Sequence, residues 1–202
     1  KPVILDPCDF YLQQPAQLND VRIPHDWLIS QAKDLYENSV GFYRKSFKLS
    51  VAPGKKYFLR FEAVYMNSAV YVNGKLACIW KYGYSTFEFN ITPFVLNGEN
   101  KVEVIAVYQC PNTRWYSGAG IFRDVYFIET ESARIASDGV YFVAKKEHAV
   151  DLPTGDWNIS VQTEIAGDYA ECTVKNTLSS LNGRKLSLCN EKHDTLETKT
   201  LT

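Results

Sequence analysis

The sequence lacks the cysteine and histidine arrangements that hold metal ions or staple small secreted domains. It has only three histidines, no Cys-x-x-Cys pair, and an odd number of widely separated cysteines, namely Cys8, Cys78, Cys110, Cys172 and Cys189. An odd number excludes a complete disulfide framework, and the spacing disfavours a zinc site. We therefore expect free, buried thiols and neither a metal ion nor a cofactor.

An excess of charge and long apolar runs are also missing. The 22 basic and 23 acidic side chains leave a formal net charge of -1. No apolar run approaches the roughly 20 residues that a membrane-spanning helix needs. Neither nucleic acid nor a membrane is therefore expected as a partner. Free cysteines favour the cytoplasm, whereas a start at Lys1 indicates a processed or trimmed end and leaves secretion and the periplasm open.

Aromatic residues are abundant, with 13 Tyr, 11 Phe and 4 Trp. Many lie in short alternating runs separated by turn residues, which predicts many short strands and hence an all-β sandwich. Asn73-Gly74 joins two such runs as a tight hairpin turn, and turn geometry accounts for Asn73 completely. The segment 129–133 has no apolar period, so we predict two domains, 1–130 and 131–202.

The segment Asn112–Asp124 predicts a surface that contacts a sugar. Gly118 and Gly120 let the backbone bend. A bent segment with an arginine and two aromatic rings presents a flat apolar face beside a cation. A sugar ring needs both, because its C–H faces stack on rings and its hydroxyls meet hydrogen-bond donors. The candidate substrate-binding residues are Arg114, Trp115 and Tyr116.

Plainer roles stay open for each of these residues. Arg114 is equally well explained by a structural salt bridge, and rings such as Trp115 and Tyr116 are more often part of a core than of a sugar surface. Gly118 and Gly120 serve backbone geometry, and Arg123 anchors its strand or a domain junction.

Two further motifs have competing interpretations. His25-Asp26 fits acid–base chemistry, since a carboxylate orients an imidazole, but no nucleophile signature accompanies the pair. The favoured alternative is that Asp26 caps a turn and His25 packs beside Trp27. Tyr82-Gly83-Tyr84 either lines a sugar groove or forms a tyrosine-rich hairpin end.

Four segments in the order of the chain resemble the amino-terminal half of glycoside hydrolase family 2, the β-galactosidase and β-glucuronidase group. Each is similar to a family motif: Ile23-Pro-His-Asp-Trp27, Gly41-Phe-Tyr-Arg-Lys-Ser-Phe47, Val70-Tyr-Val-Asn-Gly-Lys75 and Arg114-Trp-Tyr-Ser-Gly-Ala-Gly-Ile-Phe-Arg123. The resemblance covers about residues 20–130. It implies a jelly-roll, galactose-binding-like sandwich at 1–130, followed by an immunoglobulin-like sandwich at 131–202. Only about four strands are countable in the second domain, where about seven are needed, so we expect it to be truncated.

The resemblance also implies a function. Family members hydrolyse terminal β-glycosidic bonds with retention, using two glutamates on a (β/α)8 barrel. Such a barrel takes about 250 residues, so this chain should be inactive alone. A loop of the first domain reaches the non-reducing sugar, and Arg114 stands where several members carry an aspartate. Arginine only donates hydrogen bonds, so it would meet ring hydroxyls or pair with a barrel carboxylate.

The expected parent is a β-galactosidase that binds β-galactosides and forms a homo-oligomer. A β-glucuronidase or β-mannosidase is the alternative within the family, and a stand-alone carbohydrate-binding module is the alternative outside it. A truncated second domain speaks against the module. The resemblance implies that the barrel determines the sugar, carries the catalytic residues and binds any metal ion.

Overall fold

The structure is a computed structural model that describes residues 4–29, 35–110, 116–146, 157–168, 173–176, 188–189 and 195–196. Two compact units divide the chain, Lys1–Glu131 and Ser132–Thr202. The predicted all-β class is confirmed, because the named strands pair into antiparallel sheets. Of the described residues, only a short 3-10 helix at Pro7–Gln13 is helical, and no helix there is long and apolar enough to cross a membrane.

Seven strands build the first unit: β1 (Ser39–Leu49), β2 (Lys56–Phe61), β3 (Ser68–Val72), β4 (Lys75–Trp80), β5 (Phe87–Asn90), β6 (Gly98–Tyr108) and β7 (Val125–Thr130). They form a four-stranded sheet of order β1-β6-β3-β4 and a three-stranded sheet of order β5-β2-β7. The sequence predicts strands at 42–49, 56–62, 69–72, 75–80, 85–91, 101–108 and 124–129, and each of these runs coincides with one of the seven strands.

The core lies between the two sheets. Tyr57, Leu59 and Phe61 of β2 pack with apolar side chains of β3 and β6 in one buried cluster. Fully burying a large apolar side chain contributes about 1.5–3 kcal/mol, so this cluster supplies much of the unit's stability. Side chains along β6 alternate between this core and the outer side of the sheet, where Ile105 belongs to a second buried cluster. This alternation explains why β6 has apolar residues on both faces.

A buried carboxylate fixes the amino-terminal segment on that outer side. Glu103 accepts hydrogen bonds from Tyr11 Oη at 3.2 Å and from Arg44 Nε at 3.1 Å. Lys101 Nζ lies 3.1 Å from the same carboxylate. A buried charge needs such partners, and Tyr11 comes from the 3-10 helix. The stacked rings of Tyr11 and Tyr71, 3.9 Å apart, complete the attachment.

The hairpin turn between β3 and β4 has the predicted backbone, with φ of 50° at Asn73 and 79° at Gly74. The expectation that turn geometry accounts for Asn73 completely is wrong for its side chain. Asn73 Nδ2 donates to Asn100 Oδ1 at 2.8 Å and to the Phe94 carbonyl at 2.9 Å, and Asn73 Oδ1 accepts from the Lys101 amide. Asn73 therefore also ties the hairpin to the start of β6.

The connections of the first unit differ between its two ends. The hairpin turn and the connections 50–55 and 91–97 lie at one end. The connections 62–67, 81–86 and 109–124, together with the approach to β1, lie at the other. We call this second end the loop end. It is where the irregular segments of the sandwich meet, and loops held on a rigid sheet are where binding residues concentrate.

The second unit is described by strands β8 (Arg134–Lys146) and β9 (Trp157–Ala166), which pair antiparallel, and by the short pair β10 (Leu188–Cys189) and β11 (Thr195–Leu196). Along β9, Ile159, Val161, Thr163 and Ile165 are half-buried and alternate with exposed polar residues, as the sequence predicts. The alternating residues of 157–165 also predict Trp157 on this face, but the Trp157 side chain is exposed. The sequence further predicts a strand at 170–175, of which 170–172 lie outside the described residues and 173–175 are not in a strand.

Cys8, Cys78 and Cys110 are free thiols and half-buried. Burial raises the pKa of the Cys78 thiol, which makes the reactive thiolate scarcer at neutral pH. The described residues contain no group of three or more His, Cys, Asp or Glu side chains placed to hold a metal ion.

Candidate functional site

The candidate site lies at the loop end, around the 109–124 segment that joins β6 to β7. Of the three predicted substrate-binding residues, Arg114 and Trp115 lie outside the described residues, while Tyr116 is described. The residues on either side of 111–115 are held by specific hydrogen bonds, and we call these flanks the first foot (108–110) and the second foot (116–121).

The first foot is fixed to the segment that precedes β1. Tyr108 Oη donates to the Leu35 carbonyl at 2.8 Å. The Cys110 amide donates to Asn38 Oδ1, also at 2.8 Å. Tyr108 itself is fully buried, so this foot leaves the core in a defined direction.

The second foot runs between two other backbone segments. On one side the His25 amide donates to the Ile121 carbonyl at 2.7 Å, and the Trp27 amide donates to the Ala119 carbonyl at 3.3 Å. On the other side Gly120 and Tyr65 exchange two backbone hydrogen bonds of 2.8 and 2.9 Å. The Pro-His-Asp-Trp motif and the glycine motif, nearly 100 residues apart in the sequence, are therefore adjacent in space.

No residue with a side chain fits at position 120. Its φ is +105°, a value that residues with a Cβ rarely adopt. A Cβ added there would lie 2.1 Å from Tyr43 Oη and 2.9 Å from the His25 carbonyl oxygen. Gly118, with φ of +80°, has more room, since its Cβ would lie 3.3 Å from Asp26 Oδ2. Both glycines serve backbone geometry, and Gly120 also permits close packing.

Asp26 links the two motifs through its side chain. Its Oδ1 accepts from the Leu28 amide at 2.9 Å, which caps the turn at residues 27–29. Its Oδ2 accepts from Tyr116 Oη. Burial, followed by the hydrogen bond to this carboxylate, raises the pKa of Tyr116 to about 12. The Tyr116 phenol is therefore a neutral donor at physiological pH, and its ring is fixed by Asp26.

His25 and Asp26 do not form an acid–base pair in this geometry. His25 Nδ1 bonds Tyr43 Oη at 2.9 Å, and the two rings meet edge to face. Both Asp26 oxygens are used by Leu28 and Tyr116. Burial raises the pKa of Tyr43 to about 12, so its hydroxyl stays protonated beside the imidazole.

Trp27 packs within the sandwich rather than facing solvent. Its Nε1 donates to Ser39 Oγ at 3.0 Å. A Cβ at Gly41 would lie 2.2 Å from the Trp27 ring, so the glycine of the Gly-Phe-Tyr-Arg-Lys motif makes room for it. Arg123 is exposed and stacks over the Phe122 ring, 5.5 Å from its centroid.

Several tyrosines hold the second foot, a role that the sequence does not predict for them. Tyr84 Oη donates to the Ser117 carbonyl at 2.8 Å. Tyr43 Oη accepts from the Ile121 amide at 3.4 Å, and Tyr65 forms the backbone bridge to Gly120. The signal for these residues in the sequence is the unusual number of tyrosines. No local pattern shows which residue each hydroxyl contacts.

Comparison with known proteins defines the type of domain and then the family. Residues 3–131 match the family description "Glycosyl hydrolases family 2, sugar binding domain". The chain belongs to glycosyl hydrolase family 2.

Relatives with different names are similar to the chain. A protein of Bacteroides ovatus named beta-galactosidase BoGH2A is 33% identical over 84% of this chain and 22% of its own length. A putative beta-glucuronidase of Formosa agariphila is 27% identical over 85% of this chain and 17% of its own length. The solved structure of a putative beta-galactosidase from Bacteroides fragilis is 32% identical, with a TM-score of 0.63 over 82% of this chain and 26% of that one. The chain thus spans about a sixth to a quarter of the length of these relatives.

Tyr116→Phe tests the link between Asp26 and the second foot. The change removes only the hydroxyl, so it should lower the free energy of unfolding by about 1.5–3 kcal/mol, the range expected when a hydrogen bond to a charged group is lost. Urea unfolding of the 202-residue chain measures it. Tyr36→Phe, at a tyrosine that is 72% exposed, is the matched control and should change little. Equal effects of the two changes would contradict the assigned contact.

Alkaline unfolding tests the buried phenol of Tyr43. Its folded pKa of about 12 lies above the ordinary value of 10.0, so the neutral phenol stabilises the fold fully below pH 10. Above pH 10 the phenol ionises first in the unfolded chain, and the stabilisation is lost as the pH rises toward about 12. Tyr43→Phe should therefore make the fall in unfolding free energy from pH 10 to 12 shallower. The Tyr36→Phe chain should keep the wild-type slope, and a Tyr43→Phe chain that also keeps it argues against burial of this phenol.

Proposed function

We propose that this chain is the amino-terminal, non-catalytic part of a retaining family 2 glycoside hydrolase that cleaves terminal β-galactosides. The observation that carries the proposal is the fixed pair of feet on either side of 111–115, in a unit whose sequence matches the family's sugar-binding domain. A binding loop needs defined ends if its side chains are to meet a substrate in one orientation. The first unit then corresponds to a jelly-roll domain and the second to part of an immunoglobulin-like domain.

The chemistry of such an enzyme belongs to groups outside this chain. Retention uses two carboxyl groups about 5–5.5 Å apart, one as nucleophile and one as acid and base. A (β/α)8 barrel that could carry them needs about 250 residues, and this chain has 202. The chain alone is therefore proposed to be inactive, and its part in the parent is to place donors and rings at the non-reducing sugar.

The proposed contacts follow from residue chemistry. Arg114 has five N–H donors and no acceptor, so it suits sugar hydroxyl oxygens or a carboxylate on another domain. Trp115 offers an apolar ring with one N–H donor. The hydroxyl proton of Tyr116 is already donated to Asp26, so Tyr116 offers a substrate its ring rather than a donor, and it serves first to hold the foot.

The choice of galactosides rests on two relatives. BoGH2A is named a beta-galactosidase and the Bacteroides fragilis protein a putative beta-galactosidase, at 33% and 32% identity. A β-glucuronidase parent has comparable support from the Formosa agariphila relative, which matches a similar share of the chain. We further propose that the parent is a homo-oligomer and that it is located in the cytoplasm.

Hydrolysis assays of the longer protein encoded by the gene test the substrate class. We expect release of nitrophenol from nitrophenyl β-galactoside, and at least tenfold lower kcat/KM for the matched β-glucuronide and β-mannoside. The 202-residue chain should release none from any of the three. Preference for the glucuronide would overturn the galactoside assignment and keep the family function, and activity of the short chain would overturn its non-catalytic role.

Arg114→Ala in the longer protein tests the role of the loop. Loss of donors to a bound sugar should lower kcat/KM by about tenfold or more, the equivalent of roughly 1.4 kcal/mol. The melting temperature and oligomer size should not change. Arg22→Ala, at an exposed arginine of the same unit, is the control and should retain activity. A lower melting temperature without a specific kinetic loss would assign Arg114 to a structural salt bridge instead.

A further inference from the structure

Three aromatic rings and a guanidinium form a continuous row at the loop end, which we call the aromatic row: Tyr82, Tyr84, Phe122 and Arg123. The ring centroids of Tyr82 and Tyr84 are 5.9 Å apart, and those of Tyr84 and Phe122 are 6.0 Å apart, both edge to face. The Arg123 guanidinium lies 5.5 Å from the Phe122 centroid. All four belong to two connections, 81–86 and 109–124.

The exposed end of the row stands on a fixed base. Tyr84 is held by its hydrogen bond to the Ser117 carbonyl and by ring contact with Tyr65 at 5.1 Å. Gly83 lies so close that a Cβ there would be 2.2 Å from the Tyr65 ring. The backbone that carries Tyr82 is therefore pressed against a buried side chain, although the Tyr82 side chain itself is 64% exposed.

Stacking a partner on the exposed Tyr82 ring lowers the free energy, because apolar surface then leaves water. The contact between the Tyr82 and Tyr84 rings limits the conformational entropy that the ring loses on binding. The C–H face of a pyranose matches the flat ring of Tyr82. Arg123 adds hydrogen-bond donors for hydroxyl groups at the other end of the row. Three rings and a cation in continuous contact offer more than one stacking position.

We propose that the aromatic row binds additional pyranose units of a β-linked oligosaccharide, with Tyr82 as the stacking residue and Arg123 as the hydroxyl donor. The inference rests on the proposed function, since it names oligosaccharides rather than small aryl glycosides as the substrate class. It uses residues outside 111–115. The row is joined to the second foot through the hydrogen bond from Tyr84 to the Ser117 carbonyl.

The direct test is titration of the 202-residue chain with β-1,4-linked galactotetraose and with galactose, followed by ligand-observed NMR. We expect the tetraose to bind and to show saturation transfer from the protein. Tyr82→Ala should weaken its binding about tenfold. Tyr82→Phe keeps the ring and should stay within about twofold of the wild type. Tyr141→Ala, at a 67% exposed tyrosine of the second unit, is the matched control and should bind as the wild type does. Unchanged urea midpoints show that the variants are folded.

Failure of the inference is visible in three results. Equal tetraose binding by the wild type and Tyr82→Ala would overturn it, as would galactose binding as tightly as the tetraose. Binding by the short chain that disappears in the longer protein would also overturn it, because the row would then face another part of that protein.

Kinetics of the longer protein separate this inference from the proposed function. Tyr82→Ala should lower the ratio of kcat/KM for the tetraose to kcat/KM for nitrophenyl β-galactoside by about tenfold, while Tyr141→Ala should leave the ratio unchanged. An unchanged ratio in active Tyr82→Ala enzyme defeats the aromatic row and leaves the proposed function intact. A longer protein that cleaves neither substrate defeats the proposed function, and the titration still decides whether the row binds sugar.

Discussion

The loop end depends on the close approach of three chain segments at Gly120. The Tyr43 hydroxyl, the His25 carbonyl and the Trp27 ring all lie within 3.0 Å of the position that a Cβ would take. A side chain there would separate the segments, and the hydrogen bonds from His25 and Trp27 to the second foot would break with them. The absence of a side chain at one position thus permits the packing that holds the rest of the site.

The close approach of these segments also determines which polar groups remain available to a substrate. Tyr43 Oη is shared between His25 and the Ile121 amide, and the Asp26 carboxylate between Leu28 and Tyr116. Buried polar groups of this kind must be satisfied within the fold, because an unpaired one costs about 1–3 kcal/mol. The motif residues that look chemical in the sequence are therefore occupied structurally. Contacts to a ligand are therefore proposed for the side chains between the feet and for the exposed rings of the aromatic row.

Local features of the fold follow from the sequence, and long-range ones do not. The Asn73-Gly74 hairpin and the Asp26 turn involve neighbouring residues, so backbone preference determines them. The alternation along β6 and β9 likewise shows which side chains face inward. By contrast, the bond between Tyr116 and Asp26 joins residues 90 apart, and the Asn73 side chain meets Asn100 only once β6 lies beside the hairpin. Such contacts depend on the order of strands in the sheet, and no local pattern encodes that order.

The division between feet and contacts explains how one architecture suits relatives with different named substrates. The feet are built from buried rings, two glycines and backbone hydrogen bonds, none of which depends on the sugar. The proposed contacts to a substrate are made by a few side chains between the feet and by the aromatic row. On that proposal, a change of sugar requires substitutions at those positions and in the catalytic part of the parent, while the feet stay unchanged. Similarity to proteins named for galactosides and for glucuronides is consistent with this arrangement, in which Tyr84 is the row residue that also holds the second foot.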